Sequence, residues 1–141
     1  MAIKQLSIFV PNKQGSLHEI TDTLAKANIN LRSMCIADTA NYGIVRIIAD
    51  DPDAAKALLD SDGQAANVRM VNAFAVPDQP GGLAKVLSLL EGHGVNIDYM
   101  YALITSEIGK AYSVMRTGDA EETDRILTEN GIELLDESKL K

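Results

Sequence analysis

Hydrophobic and polar positions change period several times along this chain, and the order of those changes occurs twice. Leu6, Ile8 and Val10 alternate with Gln5, Ser7 and Phe9, the period-two pattern of a strand with one face buried. Pro11 has no N–H to give a ladder, so the strand stops there. Leu17, Ile20, Leu24 and Ala27 then fall at helical spacing, as do Leu83, Val86, Leu87 and Leu90 further on. Asn28 and Gly94 stand where a left-handed residue ends a helix. Leu31 to Ala37 and Ile44 to Ile48 read as two strands joined around Asn41-Tyr42-Gly43. Asp50-Asp51-Pro52-Asp53 opens a short helix, with acids in its first turn and Pro at its start. A matching helix runs from about Asp119 through Thr123, Ile126 and Leu127 to Asn130-Gly131. Final strands are expected near Ala66 to Met70 and Ile132 to Leu135.

The repetition is visible in the residues themselves. Val10-Pro11-Asn12-Lys13-Gln14-Gly15-Ser16-Leu17 aligns with Val76-Pro77-Asp78-Gln79-Pro80-Gly81-Gly82-Leu83 at an offset of 66. That offset also pairs Leu24 with Leu90, Asn30 with Asn96, Met34 with Met100, Thr39 with Thr105 and Gly43 with Gly109. Nine of the 34 positions from 10 to 43 are identical, where residue frequencies alone give roughly two, so the chain is a duplication. Beyond Gly43 and Gly109 the alignment slips by one, which predicts a hairpin one residue longer in the second copy.

Each copy therefore reads βαββαβ. Right-handed crossovers put both helices on one face of an antiparallel sheet, giving an α+β fold of two tandem ferredoxin-like units, residues 1–69 and 70–141. The plan serves many functions, so function must come from particular residues.

Charge and cysteine content narrow the classes. Lys and Arg number 13 against 20 Asp and Glu, a net charge of −7, which disfavours nucleic-acid and anionic-membrane partners. Residues 70–141 carry 12 of those acids and 6 of the bases, so the excess is C-terminal. Cys35 is the single cysteine and forms neither an internal disulfide nor half of a CxxC site; on an apolar strand it reads as a small hydrophobe. The N-terminus lacks a basic segment followed by an apolar run, and no window approaches a membrane span, which together point to the cytoplasm. His18 and His93 lack acid-rich ligand spacing, and no Ser/His/Asp or paired-carboxylate arrangement recurs in both copies. Catalytic residues, metals and cofactors are therefore not expected. An acylphosphatase-like hydrolase on this plan would need an Arg in the first loop, and neither copy has one.

The loops Asn12-Lys13-Gln14-Gly15-Ser16-Leu17 and Asp78-Gln79-Pro80-Gly81-Gly82-Leu83 join a strand end to a helix start. Free N–H groups and partial positive charge at a helix start suit a carboxylate, and Gly15 and Gly81 let the backbone approach closely; the same residues also suit a plain tight turn. Asn30 and Asn96 offer amides that accept from an ammonium and donate to a carboxylate, or that fix a helix-to-strand turn. Tyr99, Met100 and Tyr101 on a strand divide between core, interface and pocket lining.

Taken together, Val-Pro-Asp-Gln-Pro-Gly-Gly-Leu, the amphipathic helix after it, and Gly94-Val95-Asn96-Ile97 leading into the next strand resemble the ACT domain. The first copy carries the looser Pro11-Asn12-Lys13-Gln14-Gly15-Ser16-Leu17 with Asn28-Ile29-Asn30-Leu31, so the resemblance covers the whole chain as a tandem pair. It implies a regulatory module that binds a free amino acid and modulates a partner enzyme of amino-acid metabolism. It places the effector between paired units, against the first loop and the start of the second strand. Those positions here are Asn12 to Leu17 with Asn30, Leu31, Ser33 and Met34, and Asp78 to Leu83 with Asn96, Ile97, Tyr99 and Met100. The alternative is a ligand-independent regulatory or scaffold subunit of an acetolactate-synthase-like or ligase-like enzyme. Sheets covered on one side only predict a homodimer that hides apolar surface around residues such as Cys35 and Tyr101. Pro80 and Asp78, against Gln14 and Asn12, favour the second loop as the better binder.

Overall fold

The computed structural model describes residues 1–37, 40–104 and 108–141; Thr39 and Thr105 of the repeat lie outside them. Among the described residues, six strands and four α-helices trace the βαββαβ order twice, with β4 shared between the two rounds and the closing strand of the second reduced to a bridge. The first round is β1 (Ile3–Pro11), α1 (Ser16–Lys26), β2 (Leu31–Ala37), β3 (Tyr42–Ala49), α2 (Pro52–Ser61) and β4 (Ala66–Pro77). β4 also opens the second round, continued by α3 (Gly82–Gly92), β5 (Ile97–Leu103), β6 (Lys110–Thr117) and α4 (Ala120–Glu129). Two compact units result: Lys4–Arg69 with Leu140–Lys141, and Met70–Lys139 with Met1–Ile3.

In the first unit β3 lies between β2 and β1, antiparallel to both, and the start of β4 flanks β1. Leu6, Ile8 and Val10 of β1 and Val45, Ile47 and Ala49 of β3 share one face, as their alternation requires. Ile20 and Leu24 of α1 and Ala55 and Leu59 of α2 close over that face. The second unit repeats the arrangement, with β6 between β4 and β5. Its core is Phe74, Val76 and Met115 under Val86, Leu90, Ile126 and Leu127.

Helix boundaries follow the local chemistry. Asp51 and Asp119 cap α2 and α4, accepting from the amides of Ala54 and Glu122 at 3.0 Å each. Asn28 (φ 58°) and Gly94 (φ 71°) end α1 and α3 in the left-handed region, and the amides of Ile29 and Val95 then return to Leu24 and Leu90 carbonyls.

Two details differ from the expectation. Leu6 faces Ile47 in the first sheet and Asn72 faces Met115 in the second, so the offset is 66 on the first strand but 68 on the third. The second hairpin is longer by two residues, not one. An odd insertion would turn every β6 side chain to the wrong face, whereas an even one preserves the alternation. Gly109 consequently stands where Asn41 does, and Gly43 is matched by Ala111. The strand expected at Ile132 to Leu135 is reduced to a single bridge, Leu134 opposite Phe74, held by bonds from Ala75 to Glu133 and from Leu135 to Ala73. It leaves the end of β4 uncovered on that side.

Candidate functional site

The two first loops fold alike. The amide of Asn12 donates to the Asn41 carbonyl at 2.9 Å, and that of Asp78 to the Gly109 carbonyl at 3.1 Å, tying each loop to the neighbouring hairpin. Lys13 and Gln79 donate back to Pro11 and Pro77, and Ser16 and Gly82 to Lys13 and Gln79. Gly15 (φ 89°) and Gly81 (φ 82°) then start α1 and α3 in the left-handed region, with no side chain capping either helix. A Cβ at either glycine would meet nothing within 4 Å, so the requirement for Gly there is one of backbone angle, not of space. The residues from Asn12 to Gly15 and from Asp78 to Gly81 are exposed.

One step further the loops diverge. At Gly82 a Cβ would stand 2.2 Å from the Pro77 carbonyl oxygen. The first copy places Ser16 at this position, buried, with its hydroxyl lacking a hydrogen-bond partner. Gly82 thus draws the second loop closer than the first. Leu17 packs on its core, whereas Leu83 is exposed.

The strand starts lie at the opposite end of each unit. Asn30 exchanges backbone contacts with Asp50, donating to its carboxylate and accepting from its amide, both at 3.0 Å. Asn96, also exposed, donates its side-chain amide to Asp98 at 3.2 Å. Both strands shift register directly afterwards, at Leu31/Ser33 and Ile97/Tyr99. Ser33 is buried and Met34 exposed; Met100 packs on the second core, and Tyr99 stacks on Tyr101 at 6.4 Å. Helices α1 and α3, of 11 residues each, separate loop from strand start by about 16 Å. A ligand on one unit alone meets the loop or the asparagine, never both. Cys35 and Tyr101 are half-buried, on the sheet faces opposite the helices.

Three hollows were not legible from the motifs. In the first unit, a hollow of about 790 Å³ opens beside Asn28, Ile29, Asp50, Asp51 and Leu58. Its counterpart in the second, about 410 Å³, lies beside Gly94, Asn96, Asp119 and Glu122. Glu122 is held below the usual carboxylate range by the Arg125 guanidinium. A groove of about 660 Å³ begins at Pro77 and Gly82 of the second loop and runs between α3 and the segment after α4. Val76, Val86, Leu89 and Ile132 line it, with Lys85, Lys110 and Glu133 adding charge. Glu133 pairs with Lys110 at 2.7 Å and with Lys139 at 3.3 Å, and the two lysines hold its carboxyl below its ordinary 4.5. Glu19 and Thr23 occupy the first-copy positions of Lys85 and Leu89, and that contrast was the available signal. Among the described residues no three His, Cys, Asp or Glu side chains gather as a metal site, and no helix is long and apolar enough to cross a membrane.

With this geometry in view, the comparisons fix the class. The family described as the ACT domain pair matches residues 1–141, and the chain belongs to it. The crystal structure of protein BT0572 from Bacteroides thetaiotaomicron is 43% identical, with 99% of this chain and 96% of that one covered and a TM-score of 0.93. The regulatory subunit of aspartate kinase from Thermus thermophilus, in its ligand-free form, shares the fold at 15% identity, with 91% and 92% covered and a TM-score of 0.67. The corresponding subunit from Thermus flavus is similar at 15% identity, 89% and 90% coverage and a TM-score of 0.61. No curated protein matches the sequence.

Proposed function

We propose that this chain is a non-enzymatic regulatory module that binds a free amino acid and passes its bound state to a partner enzyme of amino-acid metabolism. One observation carries the reading. Aspartate side chains cap α2 and α4, whereas α1 and α3 start on bare glycines at the duplicated loops. Apart from Ser16 and Gly82, whose amides return to Lys13 and Gln79, their first-turn amides have no partner within the helix and carry the partial positive charge of the helix start, an arrangement suited to a ligand carboxylate. The use of the same fold as a regulatory subunit of aspartate kinase in Thermus thermophilus supports the regulatory part. The second loop is the stronger binder, because Pro80 restricts it and Asp78 supplies charge for an ammonium. Thermal unfolding of the full chain against the twenty amino acids tests this. A ligand at 100 times its dissociation constant adds about 2.7 kcal/mol, and no shift with any of them leaves the ligand-independent regulatory subunit as the reading.

The same proposal makes the protein a cytoplasmic homodimer. Phe9 (63% exposed) and Tyr42 (57%) lie on the face of the first sheet that carries no helix, and a second copy would cover them. Sedimentation at micromolar concentration reads this directly: a species of monomer mass with and without ligand contradicts it.

A further inference from the structure

We propose that the groove of the second unit holds an α-amino acid with a branched aliphatic side chain; this rests on the reading that the chain binds a free amino acid, and it sets the ligand's charged groups on the groove walls rather than on Asp78 and the amides of residues 81–83. The groove, about 660 Å³, falls within the range of about 300–1,000 Å³ usual for small-molecule sites. Its floor is aliphatic, built by Val76, Val86, Leu89 and Ile132. Charge of each sign stands on different walls. Lys85 rises from α3, and its side-chain ammonium makes no hydrogen bond or ion pair among the described residues. Glu133, on the segment after α4, stays ionised beside Lys110 and Lys139. A zwitterion with its carboxylate toward Lys85 and its ammonium toward Glu133 matches both, and an aliphatic side chain completes the fit on the floor. A charged side chain would lose hydration there without gaining a partner. The site exists in this copy for two reasons. The last strand shrinks to one bridge, which opens the end of β4, and Lys85 and Leu89 replace Glu19 and Thr23 of the first copy.

Calorimetry on the full chain tests the groove, using L-leucine, L-isoleucine and L-valine beside L-aspartate, L-lysine, 3-methylbutylamine and 4-methylpentanoate. The aliphatic amino acids are expected to bind at least ten times more tightly than aspartate, lysine or either analogue carrying one charge. Lys85→Glu and Leu89→Thr, which import the residues of the first copy, are each expected to weaken leucine at least tenfold in protein whose melting curve shows it folded. Binding that stays within twofold in both variants overturns the groove while leaving the amino-acid reading intact. Preference for aspartate or lysine overturns the aliphatic assignment. A wild-type chain that binds none of the twenty amino acids overturns the function and the groove together.

Discussion

Asn72, wholly buried in the second unit, donates its side-chain amide to the Asp124 carboxylate at 2.7 Å and to the Ala120 carbonyl at 2.9 Å. Its oxygen accepts from Thr117, which bonds Thr123 at 2.8 Å. The polar cluster ties α4 to the sheet. The first copy has Leu6, Ala49 and Ala55 in place of Asn72, Thr117 and Thr123, so the same space is filled there by apolar packing. Asn72→Ala is expected to lower unfolding free energy by about 1–3 kcal/mol, because it strands buried partners. Replacing all three by Leu, Ala and Ala should recover most of that loss. Urea denaturation of the three proteins decides; a single variant as stable as wild type would show the cluster to be inert.

The loop necks give a second contrast. Gly82→Ala must displace the Pro77 carbonyl from 2.2 Å, at a cost of about 1–3 kcal/mol. Ser16→Ala removes a buried hydroxyl without a partner and should leave stability unchanged or higher. Thermal melts of the two variants should therefore move in different directions; a loss at Ser16 matching that at Gly82 would contradict the geometry.

Capping makes a third. Asp51→Ala and Asp119→Ala each remove a side-chain acceptor from a helix start, and each should cost about 1 kcal/mol. Asp51→Asn should restore most of it, since the amide oxygen still accepts. A chemical denaturation series with no loss for either alanine variant would show the caps to be unused.

Acid stability follows from carboxylates held low. The Ala66 amide, donating at 2.9 Å, and the Lys56 ammonium depress Asp60 below its ordinary 3.8, and Lys110 and Lys139 depress Glu133 below 4.5. Both contributions are complete above the unfolded values and are lost as pH falls through the lower folded ones. Wild-type stability should be flat down to about pH 5 and decline below. Glu133→Gln should lie below wild type at neutral pH and converge with it in acid. A constant gap at every pH would show that the ion pairs are not responsible.

Most of the fold was legible because its signals are local. Alternation marked the strands, Pro11 ended β1, Pro52 opened α2, and Asn28 and Gly94 supplied the left-handed ends. The hairpin length is not legible from the match of Gly43 with Gly109, because strand pairing sets Gly43 in the place of Ala111. The final strand failed for a tertiary reason: Leu134 alternates correctly but pairs only with Phe74. Asn72 is polar on a strand, and nothing local says that its partners arrive from residues 117 and 124. The loops were found because glycine at positive φ leaves a trace in sequence. That Asn30 and Asn96 sit a helix length away from them follows only once the strands are given directions.

Amide chemical shifts of the 15N-labelled full chain, followed through titration with each of the twenty amino acids, test the central claim most directly. One amino acid or one side-chain class should move the amides of residues 81–83 saturably. Gly81→Val, checked to be folded, should abolish the response while Gly15→Val weakens it less. No movement of residues 15–17 or 81–83, nor of the groove residues 85–89 and 130–133, by any amino acid at millimolar concentration would contradict amino-acid binding by this chain.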